Sequence, residues 1–147
     1  MNKTFLAALI ASISILSAST NSFAQTKNFK QATFQQTADV CFNKALLFLH
    51  NNDYFIEATD KAAGFIKAKT LTKNSKAFSA KVAERRTVSF TFVREGDKTL
   101  LLLNMYADDL KWGGSTQNRV ISAEDQGIVN TPEPYKKLID ELRLVLQ

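Results

Sequence analysis

Apolar and polar side chains alternate with three distinct rhythms along this chain. Between residues 33 and 52, Phe34, Ala38, Cys41, Ala45 and Phe48 recur at steps of four, three, four and three, and Phe42, Leu46 and Leu49 widen the stripe. That spacing predicts an amphipathic helix with one buried face. Asn51-Asn52 is its expected stop, because asparagine tolerates the left-handed backbone that ends helices. Residues 54–59 and 65–72 are rich in strand formers and flank Asp60-Lys61-Ala62-Ala63-Gly64, a turn in which Gly64 can take a positive φ. They predict a hairpin with Lys67 and Lys69 on one face and Ile66, Ala68 and Thr70 on the other. Residues 86–94 alternate most strictly: Val88, Phe90 and Phe92 against Thr87, Ser89 and Thr91. One face of that strand should be buried and one wet. Glu95-Gly96-Asp97-Lys98 turns the chain into 99–106, which is apolar on both faces and so expected to be central. The last rhythm is helical again. Thr131 is a cap, Pro132 suits the first turn and Glu133 favours the positive helix start. Tyr135, Leu138, Ile139, Leu142 and Val145 form the apolar face.

Other stretches carry weaker patterns. Residues 25–32 are polar and read as a flexible lead-in. Residues 73–76 read as loop, and 77–83 as either loop or a short strand. Residues 107–131 read as a long loop around Trp112-Gly113-Gly114, with 119–123 as a further edge strand. The sum is an α+β domain over 33–147: an antiparallel sheet of four to five strands with an N-terminal and a C-terminal helix packed on one face.

The succession Ala45-Leu46-Leu47-Phe48-Leu49, Tyr54-Phe55-Ile56 and Asp60-Lys61-Ala62-Ala63-Gly64-Phe65-Ile66 gives helix, strand, Asp-x-x-x-Gly turn and strand. It resembles small exported bacterial envelope domains with a TBP-like fold, including modules of outer-membrane assembly lipoproteins. The resemblance spans residues 33–106 and implies fold and compartment, not activity. This chain has no lipid-attachment cysteine, so the likeness does not extend to a lipid anchor.

The chain start points to the same compartment. Lys3 gives a short positive n-region; Phe5 to Leu16 is a run of 12 mostly apolar residues; Ser22-Phe23-Ala24 places small side chains before a cut after Ala24. These are the three parts of a secretory signal, and the run falls short of the roughly 20 residues that span a bilayer. Residues 1–24 are therefore expected to be a cleavable signal peptide, with the remaining 123 of 147 residues working in a periplasm or outside the cell and carrying no transmembrane segment.

Charge and chemistry narrow the function classes. One of 19 basic and none of 14 acidic residues fall in the signal, so the mature chain carries a net charge near +4. Export argues against a nucleic-acid partner. Lys67, Lys69, Lys73, Lys76, Lys81, Arg85 and Arg86 crowd one stretch; they either contact an acidic partner or, weakly, an anionic membrane, or keep a sheet edge from aggregating. Cys41 is the single cysteine and excludes an intramolecular disulfide; it sits on an apolar stripe, away from His50, the single histidine. Asp108-Asp109 and Glu124-Asp125 offer oxygen ligands to a hard cation but lack calcium-loop spacing. No nucleophile elbow, phosphate loop, dinucleotide fingerprint, CxxC pair or HExxH helix is present.

No catalytic residue, metal or cofactor is therefore assigned. The preferred expectation is a non-enzymatic envelope module that binds a protein partner or cell-surface component, with Trp112, Gly113, Gly114, Lys67 and Lys69 as contact residues. The alternative is a carrier of a small apolar or amphipathic ligand between sheet and helices. Mass spectrometry of the exported protein should find Gln25, or a residue within a few positions, at the N-terminus; an intact Met1 on exported material would refute the signal.

Overall fold

A computed structural model describes residues 28–146 apart from 77 and 116. Residues 1–24, read as the signal, and 25–27 of the lead-in lie outside the described residues. The fold is α+β, with two helices and one six-stranded antiparallel sheet. A 3-10 turn at Asn28–Lys30 leads into β1 (Gln31–Phe34), α1 (Ala38–Asn51), β2 (Phe55–Asp60), β3 (Phe65–Lys73), β4 (Lys81–Glu95), β5 (Lys98–Gly114), β6 (Arg119–Ile128) and α2 (Pro132–Leu146).

The long β5 is the spine. Along one edge it pairs with β4, which continues through β3 to β2; its other edge is shared by β1, at residues 99–102, and β6, at residues 106–114. Strand side chains alternate between faces. Ile66, Ala68, Val88, Phe90, Phe92, Leu101, Leu103 and Met105 therefore share one face and are buried. Onto that face pack Cys41, Phe42, Ala45, Phe48 and Leu49 of α1 and Tyr135, Leu138, Ile139, Leu142 and Leu146 of α2. Each such aliphatic or aromatic side chain contributes about 1.5–3 kcal/mol by leaving water. These side chains form the core of the layer between sheet and helices, beside a concavity of about 260 Å³ bounded by Tyr54, Arg86, Val88, Met105, Leu138 and Glu141.

Sequence and structure differ at four places. Six strands form instead of four to five, because residues 31–34 of the expected lead-in and helix start enter the sheet beside Thr99–Leu102. Helix α1 accordingly begins at Ala38, after the Gln35-Gln36-Thr37 break, and Phe34 buries its ring as a strand residue. The expected loop 107–131 is largely a two-stranded ribbon, in which β5 runs on to Gly114 and β6 returns. In α2 the fully buried residue of the last turn is Leu146, while Val145 is partly exposed. The turn glycine behaves as its sequence suggests: Gly64 has φ +63°, and a Cβ there would collide with the Phe92 carbonyl oxygen.

One side chain joins these layers. Between Leu102, the last β5 residue opposite β1, and Tyr106, the first opposite β6, the shared edge of β5 has no strand neighbour. The Met105 N–H there donates to the Tyr135 hydroxyl at 3.0 Å, which in turn donates to the Val129 carbonyl at 2.9 Å. The Val129 N–H closes the circuit onto the Met105 carbonyl at 3.0 Å. Tyr135 is fully buried. Replacing it with Phe keeps the ring and strands a buried donor and acceptor, so Tyr135→Phe should lower unfolding stability by about 1–3 kcal/mol in urea titrations at unchanged m-value; a loss under roughly 0.5 kcal/mol would show that water satisfies the gap instead.

Candidate binding face

Among the described residues no helix packs on the second face of the sheet. Register and alternation assign to it Lys67, Lys69 and Leu71 of β3, Arg85, Thr87, Ser89 and Thr91 of β4, and Leu102, Asn104, Tyr106, Asp108 and Trp112 of β5. The side chains here are short and polar along the middle of β4 and longer on either side. The result is a concavity of about 520 Å³ lined by Glu57, Lys67, Lys69, Arg85, Thr87, Ser89, Asn104, Tyr106, Asp108 and Ile128. Strand β2 supplies Glu57 through a bulge between Ile56 and Ala58, and β6 supplies Ile128.

The charges in this trough are organised as pairs. Glu57 holds Lys69 at 2.7 Å and Lys67 at 3.3 Å, and Asp108 accepts from Arg85 at 3.0 Å. The Lys69 hydrogen bond, with Lys67 beside it, holds the Glu57 carboxyl below the usual glutamate range. Tyr106 is pushed the other way: its hydrogen bond to Asp125 and the nearby carboxylates favour the protonated phenol. Lys67, Lys69 and Arg85 stand against Glu57, Asp108 and the adjoining Asp125, so the trough is close to neutral, flanked by hydrogen-bonding groups on Thr87, Ser89 and Asn104. Apolar side chains border it. Phe55 is 64% exposed on the β2 side, where Lys69 lies 5.1 Å from its ring, and Ile128 is 57% exposed on the β6 side.

Two of the residues singled out in the sequence, Lys67 and Lys69, thus line one concavity. Trp112, Gly113 and Gly114 do not join them. Trp112 lies on the same face but four residues beyond Asp108, about 13 Å along the strand. It is not in a loop: its N–H donates to the Ala80 carbonyl at 2.9 Å, and its ring is 48% exposed beside Ile121 and Arg119. Gly113 and Gly114 are the last residues of β5. Sequence reasoning missed the trough's neutral residues Thr87, Ser89, Asn104 and Tyr106; Thr87 and Ser89 were signalled by the polar half of the alternation in 86–94, whereas 99–106, apolar on both faces, gave no such signal for Asn104 and Tyr106.

The remaining candidates are dispersed. The basic run splits between faces, with Arg86 and Lys81 opposite the trough in a chain through Glu84 to Asp109. There Glu84 is held below its usual range, chiefly by the Lys81 hydrogen bond. The paired acids face each other across strands, Asp108 with Asp125 and Asp109 with Glu124. The first pair lies on the trough face and the second on the other, and cations hold three of the four: Arg85, Lys81 and Lys111. Among the described residues no three His, Cys, Asp or Glu side chains gather as a metal site. Cys41 is fully buried, and burial raises its thiol pKa against the opposing Thr99 hydrogen bond. His50 is on the exposed side of α1.

No protein-family model matches the chain. No curated protein sequence matches it. Among solved structures it is similar to a DUF4468 family protein from Bacteroides ovatus ATCC 8483, with a TM-score of 0.46 and 11% identity, over 81% of this chain and 87% of that one.

The trough electrostatics have a direct readout. A carboxyl whose folded pKa is depressed stabilises the fold above its unfolded pKa, and that contribution is lost as pH falls through the folded value. The Glu57 side-chain carbon should therefore titrate by NMR at a lower pH than in the unfolded chain, and Lys69→Met should move the midpoint back up. A midpoint unmoved by Lys69→Met would show that the pair is not formed in solution.

Proposed function

We propose that this chain is an exported, non-enzymatic envelope module that binds a protein partner or cell-surface component across the open face of its sheet. The observation that carries the reading is the trough itself: paired charges and neutral hydrogen-bonding groups in a concavity bordered by exposed Phe55 and Ile128. A polar centre with apolar borders suits a peptide segment or polar glycan better than a lipid tail. The secretory signal supports the compartment. Cations already matched to carboxylates favour a partner that brings hydrogen bonds and shape rather than a bare anionic membrane surface.

We also infer a TBP-like arrangement, supported by the order strand, helix, antiparallel strands, helix and by both helices sharing one face. The carrier reading has less support, because Phe42, Phe90, Phe92, Leu101, Leu103 and Leu142 form a buried core between sheet and helices, and the concavity of about 260 Å³ beside it is lined largely by polar side chains such as Asn52, Thr70, Thr72, Arg86, Lys137 and Glu141.

A photoreactive residue at position 87 or 104 should form a discrete cross-linked adduct in intact cells, and one at Lys136 on the exposed side of α2 should not. Equal yields from trough and helix, or no adduct from either, would refute binding through this face.

A further inference from the structure

Beyond the trough, β5 and β6 run on as a ribbon whose outer edge is open. Among the described residues strand β6 pairs with β5 alone, and its residues from Arg119 to Gln126 are all exposed. Such an edge presents a row of backbone donors and acceptors to any incoming strand. Natural edges are usually blunted by proline, by inward charges or by bulges. The one irregularity of β6 lies beside Gln126, leaving 119–125 in unbroken register with β5 and without proline. Val120 and Ile121 are 59% and 49% exposed, and Ile121 adjoins the exposed ring of Trp112.

The charge order of this segment selects the occupant. Arg119 and Asp125 stand on the same face as Ile121 and Ala123, at opposite ends of 119–125, with Ser122 midway. An identical strand laid antiparallel about a two-fold axis through Ser122 sets Arg119 opposite Asp125 twice, Ile121 opposite Ala123 twice, and Val120 opposite Glu124 twice. Opposite charges directly across a strand pair stabilise it, and a two-fold contact repeats each gain. The groups are prepared for this. Asp125 is held by the Gly127 N–H at 2.6 Å and by Tyr106, while Arg119 lies 6.0 Å from the Trp112 ring and forms no salt bridge among the described residues.

We propose that β6 is a homodimerisation edge: two copies of this chain pair through residues 119–125, joining their sheets into one of twelve strands with both open faces on the same side. Arg119 and Asp125 set the register, and Ile121 beside Trp112 supplies the apolar contact.

Sedimentation equilibrium of the purified protein tests this. The wild type should sediment as a dimer, and hydrogen exchange across 119–125 should slow as protein concentration rises. Arg119→Asp and Asp125→Arg each place like charges opposite one another twice, so each should weaken self-association about ten-fold or more. An equimolar mixture of the two variants restores both attractive pairs and should dimerise again. A wild type that stays monomeric at every concentration overturns the proposal, as does a dimer that both substitutions leave unchanged. If Asp125→Arg melts like an unfolded chain, Arg119→Asp and the concentration dependence of exchange still decide. The proposal is independent of the open-face reading: loss of the dimer leaves trough cross-linking in place, and loss of cross-linking leaves the dimer.

Discussion

The Tyr135 hydroxyl ties together three parts of the chain at one buried point: α2, the middle of β5 and the segment that leaves β6. β5 is long enough to serve two short neighbours on one edge, and the place where those neighbours fail to touch exposes a backbone N–H inside the protein. A buried amide without a partner is among the costlier faults a fold can carry. Tyr135 removes it from the first turns of α2, and the same ring packs edge-on against Phe29 at 5.2 Å. One residue thereby contacts α2's neighbours on three sides: β5, the exit of β6 and the N-terminal segment. With both helices committed to one side, the sheet is left with a face that must be polar enough to meet water.

Much of this arrangement is legible in residue order. The alternation through 86–94, the helical stripes ending at Leu49 and beginning at Tyr135, and the Asp60–Gly64 turn each dictate their element locally, because burial on one side and hydration on the other leaves only one workable period. What escapes is set by partners distant in sequence. Ala107-Asp108-Asp109 and Gly113-Gly114 have poor strand preference. They become strand because β4 lies along one edge and β6 along the other, and because Arg85 and Lys81 relieve the acids. Gln31–Phe34 is too short to announce itself and is recruited by β5.

The candidate face is legible by halves. Placing Lys67 and Lys69 together needed only the period of a strand. Placing them beside Arg85, Asn104 and Tyr106 needed the strand order, which no local pattern encodes. The same strand order separates Trp112 from the lysines, although all three share a face, and turns a suspected loop residue into part of a stiff ribbon.

The two ends of the described chain lie against each other: Lys30 sits 5.3 Å from the Tyr135 ring, and the segment that carries it is clasped by the final helix. Contacts between the first and last elements are the slowest kind to form, since the whole intervening polymer must be present before they exist. Until α2 docks, the turn at Asn28–Lys30 therefore has no clasp.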